Sequence, residues 1–335
     1  MNTRIGWDEL PHGVRTGIEA ILGGSVVEAR SQPGGFSPGS ADRVRLASGR
    51  RAFVKAVSAE VNATSAALHR REAAVAAALP AGLPVPNFLG SYDDGTWVAL
   101  AFTDVDGRHP AEPWVAAELE QVLDTLQTVA RANMAGVADL PGCADALRGA
   151  FRGWAKLAKR PMKGLDPWAA GNVERLAGLA RHGLAAMAGT SLVHGDLRTD
   201  NILLIGPAGS RMDGSRRGPG RAVLVDWPWA ALGAPWVDAL SVMINVKSLD
   251  PGSDPDVQLR AHPVFAGVRA GDVDGVLAGY AGYFLDMSRR PDPPGLPTLR
   301  AFQRLQADAL IGWLKLRLDG GSPAPPRSCA TLRLR

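Results

Sequence analysis

Eight residues near the middle of the chain constrain its fold more than any other segment. The sequence HGDLRTDN, residues 194–201, follows a short apolar stretch and leads into another, Ile202–Ile205. A further apolar stretch, Ala222–Val225, ends in Asp226. Short apolar runs with polar residues at their edges are typical of buried strands that carry functional side chains at their ends. The pattern predicts a polar loop next to a hairpin.

The acids and the amide of this segment suit one kind of chemistry, the transfer of a phosphoryl group from a nucleotide. Mg²⁺ prefers hard oxygen ligands, which carboxylates, amides and phosphates supply. An acceptor hydroxyl also needs a carboxylate that orients it and takes its proton. Turns rich in aspartate are common between strands, so HGD alone would be weak evidence. The complete loop, followed by a strand that ends in Asp226-Trp227, is far more specific.

The motifs resemble those of the aminoglycoside phosphotransferase and choline kinase-like family, which has the protein-kinase fold. HGDLRTDN matches the family's H-G-D-x-x-x-x-N loop, and LVDWPWAALGAPWVDAL, residues 224–240, is similar to its D-W…G-P-W-x-D-L element. The resemblance implies that Asp196 is the catalytic base or the acid that orients the hydroxyl. It implies that Asn201 and Asp226 bind Mg²⁺. His194 is then a structural residue of the loop or has a direct role, and Asp238 anchors the loop backbone.

The resemblance implies an α+β, protein-kinase-like fold with two lobes. Residues 1–103 would form a nucleotide-binding lobe, residues 104–320 a mostly helical lobe and residues 321–335 a flexible tail. Alternating patterns and glycine turns predict five strands and one helix in the first lobe. The predicted strands are residues 25–30, 41–47, 50–57, 87–92 and 96–102, and the helix is residues 64–79.

Lys55 interrupts an apolar strand, FVKAV, and a buried ammonium is costly unless it is paired. In the kinase template this lysine holds the α- and β-phosphates and pairs with a glutamate of the following helix. Glu72, seventeen residues later, is the expected partner, and Glu60, before the helix, is the alternative. Otherwise Lys55 points outward from a half-exposed strand and Glu72 is a solvated helix residue.

The bend GGFSPGS, residues 34–40, has the position of a loop that covers a nucleotide. Glycines let backbone N–H groups approach phosphates closely, although a plain hairpin turn would have the same composition. Ser37 and Ser40 are candidate hydrogen-bond donors to phosphate. The end of the fifth strand, at Ala101 and Thr103, is where an adenine would contact backbone groups.

Composition excludes several other classes of protein. The net charge is only +4 and no basic stripe is present, which argues against nucleic acid as a partner. No apolar run reaches the ~18–20 residues of a membrane span, and no secretory signal is recognisable, so we expect a cytoplasmic protein. Cys143 and Cys329 lie far apart, which disfavours zinc sites and disulfides. Nothing in the sequence indicates an oligomeric state.

These observations predict an enzyme, an O-phosphotransferase that uses ATP or GTP with Mg²⁺ and acts on a hydroxylated small molecule. The resemblance implies an aminoglycoside or another hydroxylated antibiotic, and hence resistance or self-protection. A choline-like amine or a sugar is the alternative acceptor. A catalytically silent module that binds nucleotide is an alternative of another class, which the presence of Lys55, Asp196, Asn201 and Asp226 disfavours.

Three features allow more than one interpretation. Loop 206–221, rich in glycine and arginine, is either a solvated insertion or a basic loop that contacts phosphate or substrate. Arg198 either adds positive charge near the transferred group or forms a salt bridge within its loop. Five C-terminal acids would suit a polycationic acceptor or are ordinary surface residues: Asp250, Asp254, Asp256, Asp272 and Asp274.

Overall fold

The computed structural model of the protein describes residues 5–32, 39–132, 134, 140–206, 220–293 and 296–320. A small lobe is built on an antiparallel sheet, and a larger lobe is mostly helical. This confirms the predicted α+β fold class with two lobes. The predicted tail, residues 321–335, and most of loop 206–221 lie outside the described residues.

Five antiparallel strands form the sheet of the small lobe: β1 (Val26–Ser31), β2 (Ser40–Leu46), β3 (Arg51–Ser58), β4 (Phe88–Asp93) and β5 (Trp97–Thr103). Each strand begins and ends within one residue of its predicted bounds. The spatial order is β1-β2-β3-β5-β4, so the last strand lies between the third and the fourth. The lysine-bearing strand β3 is therefore central, with neighbours on both sides.

A helix covers each face of this sheet: α1 (His12–Leu22) on one side and α2 (Ala63–Ala78) on the other. Successive strand residues point to opposite faces. In β3, Ala52, Val54 and Ala56 pack in the cluster that contains α1. Lys55 has the opposite parity and therefore faces α2.

Helix α1 adds to the predicted content of the small lobe, which was a single helix. Its buried residues, Val14, Ile18 and Leu22, recur every four positions. Gly23 ends the helix in the left-handed region, at φ 68°. The helix is required because the sheet face of small apolar side chains opposite α2 would otherwise be exposed to water.

The large lobe contains helices α3 (Ala116–Ala130), α4 (Cys143–Leu147), α5 (Gly153–Lys159), α6 (Pro167–Gly171), α7 (Val173–Ala186), α8 (Val237–Leu249), α9 (Asp256–Ala261), α10 (Ala270–Ser288) and α11 (Leu299–Asp319). Short 3₁₀ helices are Trp7–Glu9, Thr199–Asn201 and Pro263–Phe265. Two small sheets pair β6 (Ser191–Val193) with β9 (Ala231–Gly233) and β7 (Ile202–Ile205) with β8 (Arg221–Leu224). Within the described ranges, each helix is too short or too polar to cross a membrane.

The hairpin of β7 and β8 brings two distant polar residues together. Ile202 pairs with Leu224, so the start of β7 and the end of β8 lie at the same edge. The Val225 backbone N–H donates to the Asn201 carbonyl oxygen across this edge, at 3.0 Å. Asn201 and Asp226 therefore flank one end of the hairpin.

Helices α7 and α10 approach each other through glycines. A β-carbon on Gly183 would lie 2.1 Å from the carbonyl carbon of Gly275, which is far inside van der Waals contact. Gly178, on the same helix as Gly183, would bring its β-carbon no closer than 3.8 Å to the Arg181 side chain. Only the first of these two glycines is therefore required by packing.

We expect Gly183→Ala to lower the free energy of unfolding by about 1–3 kcal/mol, because the added methyl group forces two helix backbones apart. Gly178→Ala is the matched control and should raise stability by up to about 1 kcal/mol, since alanine favours the helix more than glycine does. Urea unfolding of both variants measures the two values. Equal effects of the two substitutions would contradict the close packing of α7 on α10.

Candidate active site

A cavity of about 370 Å³ separates the small lobe from the β7–β8 hairpin. Its wall combines apolar residues with charged and polar ones. Among those that line it are Phe53, Lys55, Glu72, Phe102, Asn201 and Asp226. Three of the residues expected to handle phosphate and metal thus reach one cleft, although they come from three distant parts of the chain.

Lys55 forms two ion pairs in this cleft. Its Nζ lies 2.5 Å from Glu72 Oε2 and 2.5 Å from Asp226 Oδ1. The Glu72 side chain is almost entirely buried, and Glu60, the alternative partner, is exposed. Strand β3 supplies the cation, helix α2 one carboxylate and the turn after β8 the other. Sequence analysis anticipated the first pair, whereas the direct contact with Asp226 is new.

Asp226 adopts an unusual backbone conformation, with φ at 69°. It is the one non-glycine residue in the described ranges with a positive φ. Aspartate enters the left-handed region more readily than most residues, at a modest energetic cost. This conformation ends the extended backbone of strand β8, and the Asp226 carboxylate lies beside Lys55.

The backbone of loop 194–201 is held by Asp238 at the start of α8. The N–H groups of His194 and Gly195 donate to its two carboxylate oxygens, at 2.6 and 3.1 Å. This confirms the expected anchoring contact. Gly195 has a φ of 83°, and a β-carbon there would lie 2.7 Å from the Trp229 carbonyl oxygen.

His194 is wholly buried and serves the same loop. Its Nε2–H donates to the Val225 carbonyl oxygen at 2.9 Å, which leaves Nδ1 to accept from the Asp196 N–H at 3.3 Å. The ring packs against Trp227, with the centroids 4.6 Å apart. Burial lowers the pKa of His194, so the imidazole is neutral. These contacts describe a structural hydrogen-bonding residue.

Asn201 and Arg198, two further residues of the loop, lie close to Asp196. The Asn201 side-chain amide donates to the Asp196 carbonyl oxygen at 2.8 Å, so its own oxygen stays free to face the cleft. Arg198 binds Asp200 through two hydrogen bonds of 3.0 Å and lies 3.7 Å from Asp196 Oδ2. Arg198 therefore forms a salt bridge within the loop and also places positive charge beside Asp196.

The residues predicted to contact the nucleotide are only partly found at the cleft. Ser37 lies outside the described residues. Ser40 and Thr103 line the cleft, and Ser40 Oγ is buried without a hydrogen-bond partner in the described structure. Ala101 is not among the residues that line the cleft, and the expected contact between its backbone and an adenine stays a prediction. The Ala101 side chain is fully buried and packs in the cluster of α1, because its parity in β5 points it to the far face of the sheet.

Two features of the cleft were not anticipated. His69, one helical turn before Glu72, is buried beside Lys55, and its Nδ1–H donates to the Ser65 carbonyl oxygen at 3.0 Å. Burial and the nearby ammonium lower the pKa of His69 to about 3. Thr199 Oγ1 donates to a Glu112 carboxylate oxygen across the cleft. Because His69 and Glu72 are three residues apart on one helix, the sequence alone could have placed both side chains on the face that borders the cleft. No sequence pattern indicates the contact between Thr199 and Glu112.

The electrostatics of the cleft follow from one ammonium that serves two carboxylates. Burial raises the pKa of Glu72 to about 7, although Lys55 opposes this. Burial also opposes the charge of Asp226, but Lys55 outweighs it and lowers the pKa of Asp226 to about 2. The two carboxylates together raise the pKa of Lys55 against the effect of burial. Burial raises the pKa of Asp196, and the Arg198 guanidinium opposes that rise.

A comparison with protein families decides the class of the chain. The profile of the phosphotransferase enzyme family, APH, matches residues 35–272, more than two thirds of the chain. The chain belongs to the phosphotransferase enzyme family. Membership confirms the family expected from the motifs and the enzyme class, a phosphotransferase with an alcohol group of a small molecule as acceptor. No curated protein sequence matches this phosphotransferase.

Several solved structures share the fold of this phosphotransferase. A choline/ethanolamine kinase family protein from Mesorhizobium loti is 18% identical, with a TM-score of 0.54, over 92% of this chain and 94% of its own. An aminoglycoside phosphotransferase from Alicyclobacillus acidocaldarius is 15% identical, with a TM-score of 0.53, over 93% and 96%. A spectinomycin phosphotransferase, solved with ADP and spectinomycin, is 10% identical, with a TM-score of 0.53, over 90% and 98%. These similarities establish the fold.

The raised pKa of Glu72 gives folding stability a pH dependence that Glu72→Gln should remove. Between about pH 5 and 7 the folded protein keeps a proton on Glu72 that the unfolded chain, with a value near 4.5, has released. The wild-type phosphotransferase should therefore lose stability relative to the variant over this range. The difference should become constant above about pH 8, where Glu72 has released its proton in the folded protein as well.

Urea unfolding of both proteins at a series of pH values measures this difference. Glu60→Gln, which alters an exposed glutamate of the same lobe, is the control for the change of side chain. A stability difference between wild type and Glu72→Gln that does not vary from pH 5 to 8 would refute the assigned protonation.

Proposed function

We propose that this phosphotransferase transfers the γ-phosphate of ATP to a hydroxyl group of a small molecule, with Mg²⁺ as cofactor. The observation that supports the proposal most strongly is the convergence of Lys55, Glu72 and Asp226 in one cleft, beside Asn201 and the loop of Asp196. GTP would satisfy the same phosphate contacts and is the alternative donor. Candidate acceptors are an aminoglycoside or other hydroxylated antibiotic and, as the alternative, a choline-like amine or a sugar.

The oxygens of the cleft fit a hard divalent cation. Asp226 and Asn201 would bind Mg²⁺, since a carboxylate and an amide oxygen flank the same end of the β7–β8 hairpin. The ion, when bound, neutralises charge on the phosphate oxygens. Asn201 also holds the Asp196 backbone, which couples the position of the metal ligand to that of the acidic loop.

Lys55 would bind the phosphates of the nucleotide. Its ammonium has three N–H donors, of which Glu72 and Asp226 take two, so one remains for a phosphate oxygen. Glu72 keeps the lysine side chain aimed into the cleft. Asp226 contacts both the cation of Lys55 and the proposed metal position, which orders the phosphate-binding groups relative to each other.

Asp196 would orient the acceptor hydroxyl and accept its proton. Its burial raises the pKa of its carboxyl group, which makes the carboxylate a stronger base, and Arg198 keeps it charged. Asp238 fixes the backbone before Asp196, and Asn201 fixes the backbone after it. Positioning of this kind supplies much of the catalysis in phosphoryl transfer.

Replacing Asp196 by asparagine tests its role. Turnover should fall by about 10²–10⁴-fold, because the amide cannot take the proton of the hydroxyl. Binding of Mg-ATP should change little, since Asp196 does not line the nucleotide cleft. Steady-state kinetics and calorimetry measure the two effects, and an unchanged melting temperature shows that the fold is intact. Turnover close to that of wild type would exclude Asp196 as the base.

The proposed function itself is tested with purified protein, Mg-ATP and a panel of hydroxylated antibiotics, amines and sugars. Mass spectrometry should show that at least one compound gains a single phosphate group. A protein that binds Mg-ATP tightly yet phosphorylates no compound would indicate a silent nucleotide-binding module.

A further inference from the structure

An exposed tryptophan lies next to the loop that carries Asp196. Trp229 is 46% exposed, although it sits directly beside the loop. A β-carbon on Gly195 would lie 3.2 Å from the Trp229 β-carbon, so the indole begins next to the residue that precedes Asp196. A large aromatic ring in water at such a place is suited to stack on a ligand.

An arginine without an acidic partner lies over this ring. The guanidinium carbon of Arg71 is 5.9 Å from the Trp229 ring centroid, and Nη2 donates to the Ala230 carbonyl oxygen at 3.2 Å. No carboxylate of the described residues pairs with Arg71. Most of its five N–H donors therefore remain available to an anion.

Further aromatic and basic side chains lie near Asp196. Phe302 of α11 packs on Arg198, with 5.6 Å from the guanidinium carbon to the ring centroid. Tyr283 of α10 lies close enough that Asp196, after burial, helps to raise its pKa. Arg300 also acts on Tyr283, and its hydrogen bonds within the described part of the chain go to neutral groups, the Pro291 carbonyl oxygen and the Gln303 side chain. The surroundings of Asp196 thus include aromatic and positively charged side chains.

Two acids of this region are already paired with cations of the protein. Asp200 is bound by Arg198 through two hydrogen bonds. Asp286 lies within ion-pair distance of Lys156, Arg289 and Arg290. Neither carboxylate is left to receive an ammonium group of an acceptor.

Three of the five acids expected to attract a polycation are paired with cations of the protein. Asp256 and Asp274 both bind Arg317, and Asp272 binds Arg269 and His182. Arg317 and Phe302 are fifteen residues apart on α11, which is about 22 Å at 1.5 Å per residue. Asp256 and Asp274 therefore lie far along α11 from Phe302, and none of the three acids is left unpaired to bind an ammonium group of an acceptor.

From this arrangement we infer that the acceptor carries a flat aromatic group and a negative charge, with the ring on Trp229 and the anion on Arg71. The inference rests on the proposed function, because it assigns this surface to the hydroxyl acceptor of that reaction. It selects against polycationic aminoglycosides within the proposed acceptor classes.

Four probes separate these properties: 4-nitrophenyl β-D-glucuronide has ring and charge, 4-nitrophenyl β-D-glucoside has the ring only, glucuronic acid has the charge only, and kanamycin is polycationic. Binding is measured by calorimetry with Mg²⁺ and a non-hydrolysable ATP analogue. We expect the nitrophenyl glucuronide to bind about tenfold or more tightly than any other probe. Equal or tighter binding of kanamycin, or of glucuronic acid, would overturn the inference.

Variants locate the contacts. Arg71→Gln should weaken the glucuronide about tenfold and leave the glucoside unchanged, and Arg71→Lys should restore most of the loss because it retains the charge. Trp229→Leu should weaken both nitrophenyl compounds. Arg70→Gln is the matched control, since the neighbouring Arg70 binds Asp93. A glucuronide-to-glucoside ratio that Arg71→Gln does not alter, with ATP affinity preserved, would also overturn the inference.

Different results would exclude the proposed function and the inferred charge of the acceptor. If no compound in the broader panel receives phosphate, the proposed function fails whatever the binding data show. If a polycationic compound is the best acceptor, the proposed function stands and the inference about its charge is wrong.

Discussion

The buried ammonium of Lys55 is the interaction on which the rest of the site depends. It joins strand β3, helix α2 and the turn after β8, through carboxylates 17 and 171 residues away in the sequence. An ammonium so little exposed is costly unless it is paired, and the buried carboxylate of Glu72 is tolerated because this cation lies beside it. Asp226, whose side chain is 41% exposed, shares the same cation. The same three groups therefore set the orientation of α2 and the position of the large lobe's hairpin against the small lobe.

Asp238 imposes the second constraint, on the loop that carries Asp196. Its carboxylate accepts two successive backbone N–H groups, and the neutral His194 connects the same loop to strand β8. Two groups of side chains lie next to this loop. The first is the cleft of Lys55 and Asp226, which Asn201 also lines, and the second is Trp229, beside Gly195, with Arg71 over its ring. In the proposed function the nucleotide occupies the first group, and we place the acceptor on the second.

Local patterns predicted much of this molecule. The alternation of side chains located every strand of the small lobe within one residue, and a cation inside FVKAV indicated the ion pair with Glu72. Those features depend on neighbours along a strand or one helix. Helix α1 was not predicted, because the reason for it is tertiary: without this helix, one face of the sheet would be exposed to water.

The charge of the surface on which we place the acceptor could not be predicted from the sequence either. The acids of α9 and α10 suggested a cation-binding surface until their partners on α11 and elsewhere were known. Arg71 and Trp229, 158 residues apart, had no local signal that would pair them. Charge can be counted from a sequence, but whether a charge is compensated depends on the fold.

Calorimetric titration of ATP into the wild-type protein and into Asp226→Ala, each with and without Mg²⁺, tests the shared site of Lys55, Asn201 and Asp226. We expect Mg²⁺ to tighten ATP binding to the wild type about tenfold or more, equivalent to about 1.4 kcal/mol, and the variant to lose this gain. An equal gain in both proteins would show that Asp226 does not hold the metal and would contradict the shared site of Lys55, Asn201 and Asp226.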